Sequence, residues 1–81
     1  PMDEKQLRAA GAPMFYTRGP DSGGYAALFC HAGRVYWYAH EGTSSGFTRA
    51  PMSYGAFLDR YGADARRGYA AAARHIRDEL G

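Results

Sequence analysis

Cysteine is nearly missing from this chain: Cys30 stands alone, so neither an intrachain disulfide nor a multi-cysteine zinc site can form. A chain without disulfides reads as a protein of a reducing compartment, and the cytosol is the expected location. No apolar run approaches the roughly 20 residues of a membrane span, and no basic-then-apolar signal opens the sequence. Lysine is as scarce as cysteine: of ten basic residues only Lys5 is one. Asparagine is absent and Ile76 is the sole isoleucine, whereas Ala, Gly and Arg abound, a bias expected of a GC-rich bacterial or phage coding sequence. Pro1 before Met2 reads as the remnant of a cleaved tag.

Catalytic and cofactor patterns are missing too. The three histidines, His31, His40 and His75, are scattered without metal-ligand spacing, and the Gly-rich loops lack the Lys-Ser/Thr ending of a phosphate loop. Cys30 and His31 are neighbours, but neighbours on a strand point to opposite faces and cannot form a nucleophile-base couple. A loose site around Cys30 and His40 is the weakest of the functional readings. The expectation is a non-enzymatic protein with no cofactor and no metal.

What the chain does have is aromatic residues, 15% of its 81 positions, enough to build a core in one small domain spanning residues 1–81. They concentrate in Tyr25 to Glu41, YAALFCHAGRVYWYAHE, where two apolar runs flank a short turn and predict a β-hairpin. A two-residue turn would force Ala32 to positive φ, at a cost of roughly 1 to 2 kcal/mol, so a three-residue turn over His31-Ala32-Gly33 is preferred. That register puts Tyr25, Ala27, Phe29, Val35, Trp37 and Ala39 on a core face. It leaves Ala26, Leu28, Cys30, Arg34, Tyr36, Tyr38 and His40 on the other. The two-residue register would move Leu28 and Cys30 to the Trp37 side, while Arg34, Tyr36, Tyr38 and His40 stay together in either case.

Around the hairpin, residues 3–10 predict a short helix stopped by Gly11 and Pro13, and Met14 to Arg18 a first strand, followed by the turn-forming GPDSGG of residues 19–24. GTSSG at 42–46 reads as a loop and Phe47 to Ala50 as a short edge strand limited by Pro51. Ser53 is placed to cap a helix over 54–61 that stops at Gly62, and Asp64 to cap a last helix over 65–80. In that last helix Ala65, Tyr69, Ala72, Ala73, Ile76 and Leu80 form the buried stripe, and Arg66, Arg67, Arg74 and Arg77 fall within roughly one hundred degrees of arc on the other side. The fold class is α+β: a three- or four-stranded antiparallel meander with two C-terminal helices on one face and a short N-terminal helix.

Two groups of residues carry the functional expectation. Arg34, Tyr36, Tyr38 and His40 make a tyrosine-rich sheet face, exposed unless the N-terminal helix covers it, of the kind that dominates protein hot spots. Arg66, Arg67, Arg74 and Arg77 make a stripe suited to bidentate contacts with carboxylate or phosphate. Together they imply a protein-binding module, with a protein partner or a nucleoprotein complex on the other side, direct nucleic-acid contact through the arginines, and no membrane. As a class, small non-catalytic proteins of GC-rich bacteria and phages include inhibitors and adaptors of macromolecular complexes, anti-CRISPR proteins among them. The alternative is a single-stranded nucleic-acid binder that stacks bases on exposed aromatics. The strand GRVYWYAH does not carry the ribonucleoprotein signature, and strands followed by helices are not that fold's alternation. A formal charge of +2 is too modest to choose between them.

Overall fold

The two apolar runs pair as expected, β2 (Gly24–His31) against β3 (Arg34–Glu41), in a computed structural model that describes residues 2–16, 24–41, 44–48 and 50–81. The register differs from the preferred one. His31 lies opposite Arg34, Cys30 opposite Val35 and Leu28 opposite Trp37, so the loop is Ala32-Gly33 alone. Ala32 takes the positive φ that a type I′ turn demands, 48°, and Gly33 sits at 80°. The strain at Ala32 is offset by a ladder that runs without a bulge over the whole of β2, and by the Tyr54 backbone N–H, which donates to the Gly33 carbonyl at 2.9 Å. As a result Leu28 and Cys30 lie on the Trp37 side, and Ala27 and Phe29 join Tyr36 and Tyr38.

The sheet is antiparallel in the order β1-β2-β3-β4, with β1 (Met14–Tyr16) beside β2 and β4 (Ser44–Thr48) beside β3. β4 starts inside the stretch expected to be a loop, and the pairing slips between Ala39 and Glu41. A two-residue β5 (Met52–Ser53), which no sequence signal announced, pairs further along the same edge of β3, Ser53 opposite Arg34. The end of the expected first strand and the GPDSG part of the following turn lie outside the described residues, as do Gly42, Thr43 and Arg49.

α2 (Tyr54–Tyr61) begins where Ser53 predicts, with the Ser53 hydroxyl accepting from the Ala56 N–H at 3.2 Å. α3 (Arg67–Leu80) starts two residues later than expected. Asp64 does not cap it; its carboxylate accepts instead from the Arg66 N–H at 2.9 Å and from the Arg66 guanidinium. Gly68, Tyr69, Ala72, Ala73 and Ile76 form the buried stripe, while Ala65 is exposed and Leu80 is 63% exposed.

Both C-terminal helices pack on one face of the sheet. Leu28, Cys30, Val35 and Trp37 meet Tyr54, Phe57, Tyr69, Ala72, Ala73 and Ile76 in the main core. Trp37 is tilted against Phe57 at 5.9 Å between ring centroids, and its Nε1 donates to the Tyr69 hydroxyl at 3.4 Å.

α1 (Glu4–Ala9) covers the opposite face, where Leu7 packs with Ala27, Phe29 and Tyr36 in a second, smaller core. Its ends are closed from within. Asp3 and Gln6 form a reciprocal capping box, the Asp3 carboxylate accepting from the Gln6 N–H at 2.8 Å and the Gln6 side chain from the Asp3 N–H at 2.9 Å. At the other end Gly11, at φ 72°, donates to the Arg8 carbonyl and Ala12 to the Leu7 carbonyl, a Schellman motif. Among the described residues no helix is long and apolar enough to cross a membrane.

Candidate functional site

The tyrosine-rich face is occupied. Tyr36 is only 8% exposed because α1 lies over it, so it cannot serve as an open contact residue. Tyr38 is half-buried, its ring edge-on to Phe29 with centroids 5.8 Å apart, and its hydroxyl donates to the Met2 carbonyl. Burial, and then the negative charge of Asp3, hold the Tyr38 phenol above its ordinary range. Arg34 is exposed at the start of β3, beside the turn. The His40 backbone pairs with Tyr25 across the hairpin. The four residues share a face by register, and the N-terminal helix covers part of it: Tyr36 is closed off by Leu7 and Tyr38 is half-buried, while Arg34 stays exposed.

The arginine group divides into two pairs. Arg66 and Arg77 are tied into the turn between α2 and α3. The Arg66 guanidinium forks onto Asp64, Nε to Oδ1 at 3.0 Å and Nη2 to Oδ2 at 2.8 Å, and lies 4.1 Å from the centroid of Tyr69. These hydrogen bonds from Arg66, side chain first and backbone second, pull the Asp64 carboxyl below its ordinary range. Arg77 donates to the Gly62 carbonyl at 3.0 Å, closing the end of α2.

Arg67 and Arg74 behave differently. Both are exposed on α3, and neither has an ion pair or hydrogen bond among the described residues. Seven positions apart, they return to within about 20° of one line and stand about 10.5 Å apart along the helix axis. Arg60 of α2, exposed and 5.7 Å from the Tyr61 ring centroid, adds a cation that the sequence reading left out. Its spacing within α2 was legible; that it stacks on Tyr61 was not.

A third cluster joins residues that no sequence pattern linked. The Glu79 carboxylate accepts from the Tyr54 hydroxyl and pairs with His75 Nε2, each at 2.9 Å. The His75–Glu79 half follows helical i, i+4 spacing; the Tyr54 half is long-range. Cys30 is buried nearby, and burial, followed by the charge of Glu79, pushes its thiol up to about 12. Burial and the bond to Glu79 likewise raise the Tyr54 phenol. Cys30 is packed in the main core with Leu28, Val35 and Trp37. Among the described residues no three His, Cys, Asp or Glu side chains come together as metal ligands.

No family model matches the chain, and neither a curated protein nor a solved structure matches it.

Proposed function

We propose that this chain is a non-enzymatic binding module that engages an acidic surface of a partner protein through the outward side of α3, acting as a small inhibitor or adaptor of a macromolecular complex. The observation that carries the reading is the state of Arg67 and Arg74, two exposed guanidinium groups in line with no internal partner among the described residues. Arginine's fixed fork matches a carboxylate in two parallel hydrogen bonds, and its weak hydration makes it the cation of choice for an interface. A single-stranded nucleic acid would need rings to stack on as well as cations. Among the described aromatic side chains Trp37, Tyr36, Tyr54 and Tyr69 are buried and Tyr38 is latched to Met2, which favours the acidic protein over the nucleic acid.

The test compares a labelled glutamate-rich helical peptide with a labelled oligonucleotide at two salt concentrations. The peptide is expected to bind at low salt and weaken as salt rises, with the Arg67→Glu, Arg74→Glu double variant losing affinity by roughly tenfold or more. Oligonucleotide binding that exceeds peptide binding and depends on the same two arginines would transfer the function to the nucleic-acid reading.

A further inference from the structure

We propose that the partner segment received by α3 is itself an α-helix, carrying two carboxylates seven residues apart and a cation four residues beyond the second. The inference rests on the acidic-surface reading and narrows it. What narrows it is a third exposed charge on α3, Asp78.

Arg67, Arg74 and Asp78 follow one another at steps of seven and four residues. Those steps return them to within about 40° of arc, about 10.5 and 6 Å apart along the helix axis. All three are exposed, and among the described residues none of their side chains has an ion pair or hydrogen bond. Arg74 and Asp78 do not pair with each other although they stand four apart; the base precedes the acid, the weaker order on a helix. The outward line therefore presents positive, positive, negative, with each charge open to an outside group. The carboxylate discriminates between partners: it repels a phosphate chain lying along the arginines and favours a polypeptide with a cation at that place.

Spacing selects a helix over a strand. Side chains on one face of a strand recur at about 6.8 and 13.6 Å, whereas one line of a second helix offers positions seven and eleven residues apart at about 10.5 and 16.5 Å, the spacings of α3 itself. The floor between the charges lets such a helix come close. Ala70 and Ala71 lie between Arg67 and Arg74 and are only partly buried, so the partner backbone meets two methyl groups rather than long side chains. Packed helices with small residues at the contact approach to about 8 Å between axes. Asp78 needs that approach, because its carboxylate is carried on a single methylene and cannot reach out as an arginine does. α3 supplies 14 residues, about 21 Å of helix, so the contact is that of a weak, reversible complex whose specificity comes from the order of charges.

The experiment uses the full chain and labelled, alanine-rich helical peptides. The in-register probe carries glutamates seven apart and a lysine four further on, made in both chain directions; the control has the same composition with the second glutamate moved two positions, off the line. The better in-register peptide is expected to bind about three- to tenfold more tightly than the control at low salt. In Asp78→Arg the preference should pass to a peptide with glutamate in place of that lysine. Equal binding of in-register and control peptides, or an Asp78→Arg chain that keeps the wild-type ranking, overturns the helix and leaves the acidic-surface reading standing. No binding of any glutamate peptide, at concentrations up to the order of millimolar, overturns both. Dimers of the chain that form as its concentration rises and are abolished by Asp78→Arg assign the line to a second copy and overturn the partner helix.

Discussion

Ala32 holds an unfavourable backbone conformation for the sake of its neighbours. Its φ of 48° lies where a side chain costs roughly 1 to 2 kcal/mol, and the turn tolerates it because the His31–Arg34 pair closes the loop and Gly33, held by the Tyr54 bond, supplies the second positive φ. Asparagine visits the same region at low cost and is the favoured partner of glycine in a type I′ turn. Ala32→Asn is therefore expected to stabilise the fold by about 1 kcal/mol, read as a higher denaturant midpoint with unchanged slope. This position is also where the sequence was hardest to read. The local penalty at Ala32 is visible in the sequence and argues for a three-residue loop; the opposing contributions come from an unbroken ladder and from a backbone donor at Tyr54, far along the chain. Alternation correctly kept Tyr36 and Tyr38 on one face, apart from Trp37. It could not say that Leu7 would cover Tyr36, because one leucine in an eight-residue segment carries no record of what it packs against.

At the scale of elements, helix ends with local chemistry were legible and those with tertiary chemistry were not. Ser53 marks the start of α2 through a hydroxyl three residues from the N–H it accepts from, and the structure agrees. Asp64 looked like the same kind of cap. It failed because Arg66, two residues on, offers the carboxylate both a backbone N–H and a charged fork. Gly62 ends α2 as expected but by an unexpected route. Its φ of −61° is right-handed, so what requires glycine is space rather than handedness. A methyl group there would run into the Leu58 carbonyl oxygen and come within 3.1 Å of the Arg77 guanidinium. Alanine's better helix propensity would contribute up to about 1 kcal/mol, and the backbone collision outweighs it. Gly62→Ala is expected to destabilise by roughly 1 to 3 kcal/mol in chemical denaturation, with part of the loss recovered in an Arg77→Ala background.

For the molecule as a whole, the main core ties stability to alkaline pH. In the unfolded chain a cysteine thiol titrates near 9.0 and a tyrosine phenol near 10.0, whereas folded Cys30 is pushed up to about 12 and Tyr54 is also raised. Above about pH 9 the unfolded chain therefore gives up protons that the native state retains, so the native state binds more of them and stability falls as pH rises. Below that value these two groups contribute in full. Thermal midpoints are expected to hold steady up to about pH 9 and then decline toward pH 12, and Cys30→Ala should flatten the early part of the decline. A midpoint that rises across this range would show that neither group is shielded as described.

The lone tryptophan gives the two cores an optical asymmetry. Trp37 is wedged among Phe57, Tyr61 and Tyr69 on the helix-paired side, and nothing comparable stands beneath α1. Indole emission therefore reads the helix-paired layer first: a substitution at Phe57 should move that band, whereas one at Leu7, on the far side of the sheet, should leave it nearly unchanged.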